Sequence, residues 1–200
     1  MTVHPIEAES YRILASRIDL THLDSGVRAV VERVIHASAD LEFASTMRVD
    51  AASVARGVSA IAGGAPVVVD AEMVRAGITG SPTVCLLSSA VAGPDGFPTR
   101  SAMAIRAAAE LYDRDAVWVI GNAPTALMEV IALIESGDLA PALVIGLPVG
   151  FVGAAQSKQA LRDLAGARHL ATITNVGEKG GSAVAAAAFN ALARLAVGLA

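Results

Sequence analysis

Over residues 8–18, apolar and charged positions alternate at helical spacing, and Thr21-His22-Leu23-Asp24 then reads as a capping sequence for a second helix. In that helix Val27, Val30, Val31, Val34 and Ile35 share one face, while Arg28, Glu32 and His36 fall four apart on another. A third helix is predicted over residues 51–62, ending at Gly63-Gly64, because glycine readily takes the left-handed conformation that closes helices.

Beyond Gly64 the texture changes to short apolar runs over residues 66–69, 83–87, 116–120, 142–147 and 170–174. Val and Ile enrichment without polar alternation predicts strands buried on both faces, and the helical stretches 101–111 and 125–135 predict the crossovers between them. The expected architecture is therefore α/β, three-layer α/β/α, with a flavodoxin-like, mostly parallel sheet behind an N-terminal helical segment. Such a sheet puts its ligand crevice beyond the carboxyl ends of the strands. No repeat or composition break interrupts the chain, so residues 1–200 are read as a single domain. The alanine-rich stretch 183–188 is a helix former, and residues 88–98, with two Gly and two Pro, are expected to form a mobile loop near the ligand edge.

Composition narrows the function classes. At 200 residues one core is expected, burying roughly 70% of the unfolded chain's surface. The 54% apolar content is spread through periodic segments and holds no uncharged run of membrane-spanning length. His4, Glu7 and Glu9 precede Arg12, unlike the basic start of a secretory signal, so a cytoplasmic location is expected. A net charge of −4 with 4% aromatic residues argues against nucleic acid as a partner. The one cysteine, Cys85, excludes an intramolecular disulfide and is expected to be buried and inert. His4, His22, His36 and His169 stand apart, without metal-ligand spacing, so no metal is expected.

Three turns that precede helices carry the candidate chemistry: Gly121-Asn122-Ala123-Pro124-Thr125, the run 146–153, and Gly177-Glu178-Lys179-Gly180-Gly181-Ser182. Glycine lets backbone N–H groups approach a ligand, and a helix start leaves such donors unpaired with partial positive charge, a setting suited to carboxylates or phosphates. Glycine also simply permits tight turns, so each loop taken alone has a structural reading as well. None matches the phosphate loop or the dinucleotide fingerprint. His36 is followed by the small residues Ala37, Ser38 and Ala39, which leave room for a ligand, and imidazole exchanges a proton near neutral pH. A histidine there also answers the helix dipole. Asp70 and Glu72 are candidate caps for a helix after the first parallel strand, Met73 a candidate core residue, and Thr125 a candidate cap of its own helix.

Five ordered segments bear on these alternatives: residues 32–40, 63–78, 121–127, 146–161 and 180–193. Read as Val-Ile-His-Ala, Gly-Ala-Pro-Val-x2-Asp-Ala-Glu-Met-Val-x2-Gly-Ile, Gly-Asn-Ala-Pro-Thr-Ala-Leu and Gly-x-Pro-Val-Gly-Phe-Val-Gly-Ala-Ala-x-Ser-Lys, the chain resembles the precorrin-8X methylmutases. The resemblance implies an isomerase of cobalamin biosynthesis that shifts a methyl from C-11 to C-12 of a corrinoid ring, without a cofactor. It also implies a homodimer holding a tetrapyrrole substrate near the subunit interface. Under it His36 matches the catalytic histidine and Ser10 a serine at the substrate site, and Thr99-Arg100-Ser101 resembles a family motif opening a helix. Arg12, Asn122, Thr125, Lys179, Gly181 and Ser182 complete the expected substrate contacts. Where relatives read Arg-Gly-Arg-x-Gly-Gly-Ser, this chain has Val176-Gly177-Glu178-Lys179-Gly180-Gly181-Ser182, losing both arginines and gaining an acid. Lys179 offers only a point charge in place of a two-pronged guanidinium. A corrinoid-binding protein without turnover and a nucleotide-binding module of the same sheet class are the alternatives.

Overall fold

Five strands form one sheet in the order β1-β5-β4-β3-β2, in a computed structural model that describes residues 4–198. The described chain runs α1 (Pro5–Arg17), α2 (Ser25–Ser38), α3 (Phe43–Thr46), β1 (Met47–Arg48), α4 (Ala51–Ala62), β2 (Val67–Val69) and α5 (Glu72–Gly77). It continues through α6 (Arg100–Ala109), β3 (Val117–Ile120), α7 (Pro124–Ser136), β4 (Leu143–Gly146), α8 (Ala154–Arg168), β5 (Thr172–Asn175) and α9 (Ser182–Ala196). Strands β2 to β5 are parallel, and β1 lies antiparallel on β5 with Met47 opposite Asn175.

The strand pattern assigns each face its layer. Val67, Val69, Val117, Val119, Leu143, Ile145 and Ile173 point into a core with α2, α4 and α9. Their neighbours Val68, Trp118, Ile120 and Val144 point the other way, against α6, α7 and α8. Both faces are dry, which is why these strands read as unbroken Val/Ile runs. Trp118 is fully buried in the second layer, and truncating such a residue to alanine costs roughly 3–5 kcal/mol. In α9 the small residues Ala185, Ala186 and Ala188 let the helix lie close to its neighbours: a Cβ on Gly77 would come within 2.7 Å of the Ala186 methyl.

Several sequence expectations are corrected. Residues 83–87 do not form a strand. Val84 alone bridges to Val68 beside β2 before the chain turns away into the 88–98 loop, which holds a 3-10 turn at Pro94–Gly96. The fifth strand is instead β1, two residues long and too short to show any alternation. Met73 is 63% exposed rather than core, because it projects from the outer side of the short α5. Cys85 is half-buried rather than fully buried, and that burial still raises its thiol pKa.

Candidate active site

His36 is positioned by two helices, α2 that carries it and α1 packed beside it. The Asp24 carboxylate caps α2 by accepting from the Gly26 amide at 2.9 Å, and the buried valine face then fixes the helix rotation. This turns the Arg28, Glu32 and His36 side of the helix away from that core, and α1 supplies the partners that His36 meets. Ser10 Oγ lies 2.8 Å from His36 Nδ1, and the Tyr11 ring stacks on the imidazole at 4.9 Å with planes 7° apart. Among the described residues His36 Nε2 has no protein partner, so the ring is held from one nitrogen and one face with the other nitrogen open.

Charged neighbours complete the cluster. The Glu7 carboxylate accepts from Arg33 at 2.7 Å and from Arg194 at 3.2 Å, and Arg33 also reaches the Tyr11 hydroxyl. Partial burial holds the His36 pKa below its usual value of 6.5, the Arg33 guanidinium lowers it further, and Glu7 pulls it back up.

The three glycine turns converge at the carboxyl ends of the strands. A Cβ on Gly121 would sit 2.7 Å from the Ala185 methyl and 3.1 Å from Ser182 Cα. The Gly181 amide donates to the Leu147 carbonyl at 2.8 Å, and the Gly150 amide to the Glu178 carbonyl at 3.2 Å. The turn after β4 leads into α8 on one face of the sheet, and the turn after β5 leads into α9 on the other. Divergence of this kind is where an α/β sheet places its ligand. Lys179 ties the third turn to the segment just after His36, donating to Asp40 at 2.6 Å and Glu42 at 2.7 Å.

Other predicted residues have more local duties. The amides of Gly121, Asn122 and Ala123 all donate to the buried Asp70 carboxylate, at 2.9, 2.9 and 2.7 Å. Asp70 therefore does not cap α5 as expected, and those amides are not available to a ligand. Burial pushes the Asp70 pKa up while the three donors oppose the shift. Glu72 likewise does not cap α5, standing at its first position and pairing with Arg75. Thr125 does not cap α7. Its hydroxyl lies 2.8 Å from that of Thr99, which caps α6 through the Ala102 amide and so joins two strand-end segments. Arg100 is exposed at the first position of α6, with Ser101 half-buried beside it. Arg12 is exposed and pairs with Glu9 through two contacts, at 2.6 and 2.7 Å. Ser182 opens α9, half-buried.

Sequence reasoning missed Lys158. It is fully buried on the inner face of α8 and donates to Asn175 Oδ1 at 2.9 Å and to the Lys179 carbonyl at 2.6 Å. Burial, with Arg162 nearby, lowers its pKa to about 8. A signal was present in the pattern: Ala154, Lys158 and Leu161 share one helical stripe, so a lysine occupies a position that otherwise faces the core. Among the described residues no cluster of three or more His, Cys, Asp or Glu side chains has metal-binding geometry, and no helix is long and apolar enough to cross a membrane.

Comparison with known proteins matches residues 5–195 to the family model described as precorrin-8X methylmutase. The cobalt-precorrin-8 methylmutase of Methanocaldococcus jannaschii is 39% identical over 82% of this chain and 77% of that protein. The precorrin-8X methylmutase of Pseudomonas aeruginosa is 36% identical, covering 94% of this chain and 93% of that one. Among solved structures, the precorrin-8X methylmutase of Thermus thermophilus superimposes with a TM-score of 0.84 at 35% identity, covering 96% of each chain.

Proposed function

Because the chain belongs to the precorrin-8X methylmutase family, isomerases of cobalamin biosynthesis, we propose that it moves a methyl group from C-11 to C-12 of precorrin-8X or cobalt-precorrin-8, with His36 as general acid/base. The observation that carries the residue assignment is the clamp on His36: Ser10 at Nδ1, Tyr11 against one ring face, and Nε2 open.

The imidazolium donates its Nε2 proton to the conjugated macrocycle, which makes the migration terminus electron-poor. The methyl then shifts within the ring, and the neutral imidazole recovers a proton as conjugation is restored. No group donor and no net redox change are needed. Positioned acid catalysis of this kind contributes roughly a hundred- to ten-thousand-fold. Holding the flexible ring in one reactive conformation supplies a further part.

The substrate's acetate and propionate arms are assigned to Arg100, Ser101, Ser182, the Thr99–Thr125 pair, Asn122 and the exposed Arg12. Lys179 is already neutralised by Asp40 and Glu42, so its role is to hold the third turn against the end of α2. Gly181 serves the same turn through the hydrogen bond that its N–H donates to the Leu147 carbonyl. A cytoplasmic homodimer with the corrinoid near its interface is part of this reading, and the apolar tip Phe151-Val152 of the second glycine turn, 89% exposed at both residues, supports the dimer.

The test is to add precorrin-8X or cobalt-precorrin-8 to the purified protein and follow the absorption spectrum. Multiple turnovers to the rearranged corrinoid support the enzyme. A stoichiometric bound-state spectrum without turnover supports instead a corrinoid-binding protein, the reading that the altered 176–179 turn would favour.

A further inference from the structure

A cavity lies along the sheet edge closed by β1, and no residue of the glycine turns or of the His36 cluster lines it. Its volume is about 590 Å³, within the range of small-molecule sites. Arg48 enters from β1, Arg56 from α4 and Arg162 from α8, so three separate elements each contribute a guanidinium. Asp50 is the acid in this lining, and its carboxylate is occupied by the Ser53 amide at 2.6 Å, capping α4.

The guanidiniums are oriented without being neutralised. Arg48 donates to the carbonyls of Ser45 and Met47, Arg56 to the His169 carbonyl at 3.1 Å, and Arg162 to the Asn175 carbonyl at 2.8 Å and to Gln159 Oε1. Among the described residues none of the three meets a carboxylate, whereas Arg12, Arg28, Arg33, Arg75 and Arg106 all do. Each guanidinium carries five N–H donors, and carbonyl contacts leave several unspent. Arg48 is close enough to Arg162 to add to the burial that lowers the Arg162 pKa. In a chain of net charge −4 with acids to spare, a lining with two net positive charges and engaged backbone carbonyls is a place prepared for an anion.

We infer that this cavity is a binding site for a phosphate-bearing small molecule, separate from the corrinoid site, with Arg48, Arg56 and Arg162 as the phosphate-binding groups. Met47, Val49 and Leu170 give it apolar wall beyond the charged part, and the volume exceeds what one phosphate fills. The site also touches the machinery described above. The Asn175 carbonyl accepts from Arg162, while the Asn175 side chain holds Lys158 and the Lys179 carbonyl.

The test is calorimetric titration of the purified protein with inorganic phosphate and with pyrophosphate, against sodium chloride at matched ionic strength. Saturable binding of both anions is expected, with pyrophosphate the tighter. The exposed-site variants R48Q and R56Q are each expected to weaken binding by at least three-fold, and the double variant by ten-fold or more, with corrinoid turnover in phosphate-free buffer unchanged. Absence of saturable binding, an equal response to chloride, or unchanged affinity in both single variants would overturn the assignment.

Discussion

Ser10 and His36, 26 positions apart in the chain, meet at 2.8 Å between Oγ and Nδ1. Because Nε2 is the nitrogen that gives and regains the proton, Nδ1 stays protonated and the Ser10 hydroxyl accepts from it in both states, more strongly from the imidazolium. Ser10→Ala removes that partner without altering α1. A hydrogen bond to a charged group contributes about 1.5–3 kcal/mol, so kcat is expected to fall by roughly 10-fold or more. An NMR titration of His36 in the same variant should show a lower pKa than in the wild type.

The cations and anions around the ring fix the sign of the pH dependence. With its pKa held below 6.5, His36 loses its donating form as pH rises through that lowered value, so kcat/KM should decline toward neutral pH. Arg33→Gln removes a repelling charge and should move that limb to higher pH. Glu7→Gln removes an attracting one and should move it lower. The stability linkage has the opposite sense: the unfolded chain takes up the proton first, so the contribution of His36 to stability is present above pH 6.5 and is lost as pH falls through the folded-state value. Profiles of kcat/KM for the three proteins check the order.

Lys158→Met keeps the side-chain length but leaves Asn175 Oδ1 without its buried donor, while the Lys179 carbonyl keeps only the Asn175 side-chain amide. The orphaned oxygen costs roughly 1–3 kcal/mol, and for a chain of this size each kcal/mol lowers Tm by about 2–4 °C. Turnover should fall with it as the third turn loosens. In the wild type an alkaline limb is expected near pH 8, where the ammonium deprotonates, and it should be missing from the residual activity of the variant.

Asp70→Asn tests the first turn. One carboxylate oxygen that accepts amide protons becomes an amide donor facing other donors, at a buried site. A loss on the order of 3 kcal/mol is expected, or about 6–12 °C in Tm. Differential scanning calorimetry measures it. An unchanged Tm would remove Asp70 from its assigned place.

The unbroken Val/Ile runs announced a sheet covered on both faces, and the valine stripe of residues 27–35 set the rotation of α2, because burial writes itself into periodicity. The partners of His36 could not be read that way. Tyr11 and Ser10 reach it only through the packing of α1 on α2, and nothing local to either segment encodes that crossing. The 121–125 turn misled for a related reason: its glycine signalled available amides, but the acceptor that fills them lies some fifty residues earlier, at Asp70. Residues 83–87 had strand composition, yet hydrogen bonding at the β2 edge ends after Val84, and composition carries no count of available partners. Lys158 was legible in principle, as a charge on an apolar stripe.

Catalysis rests on the proton donated by His36, and His36→Ala removes that donor. Purified variant and wild type are mixed with corrinoid substrate, and the absorption change of the methyl shift is followed under single-turnover conditions, with binding measured separately by equilibrium titration. Retained binding and a rate at least 100-fold below wild type are expected. Conversion by the variant at the wild-type rate would refute proton donation by His36.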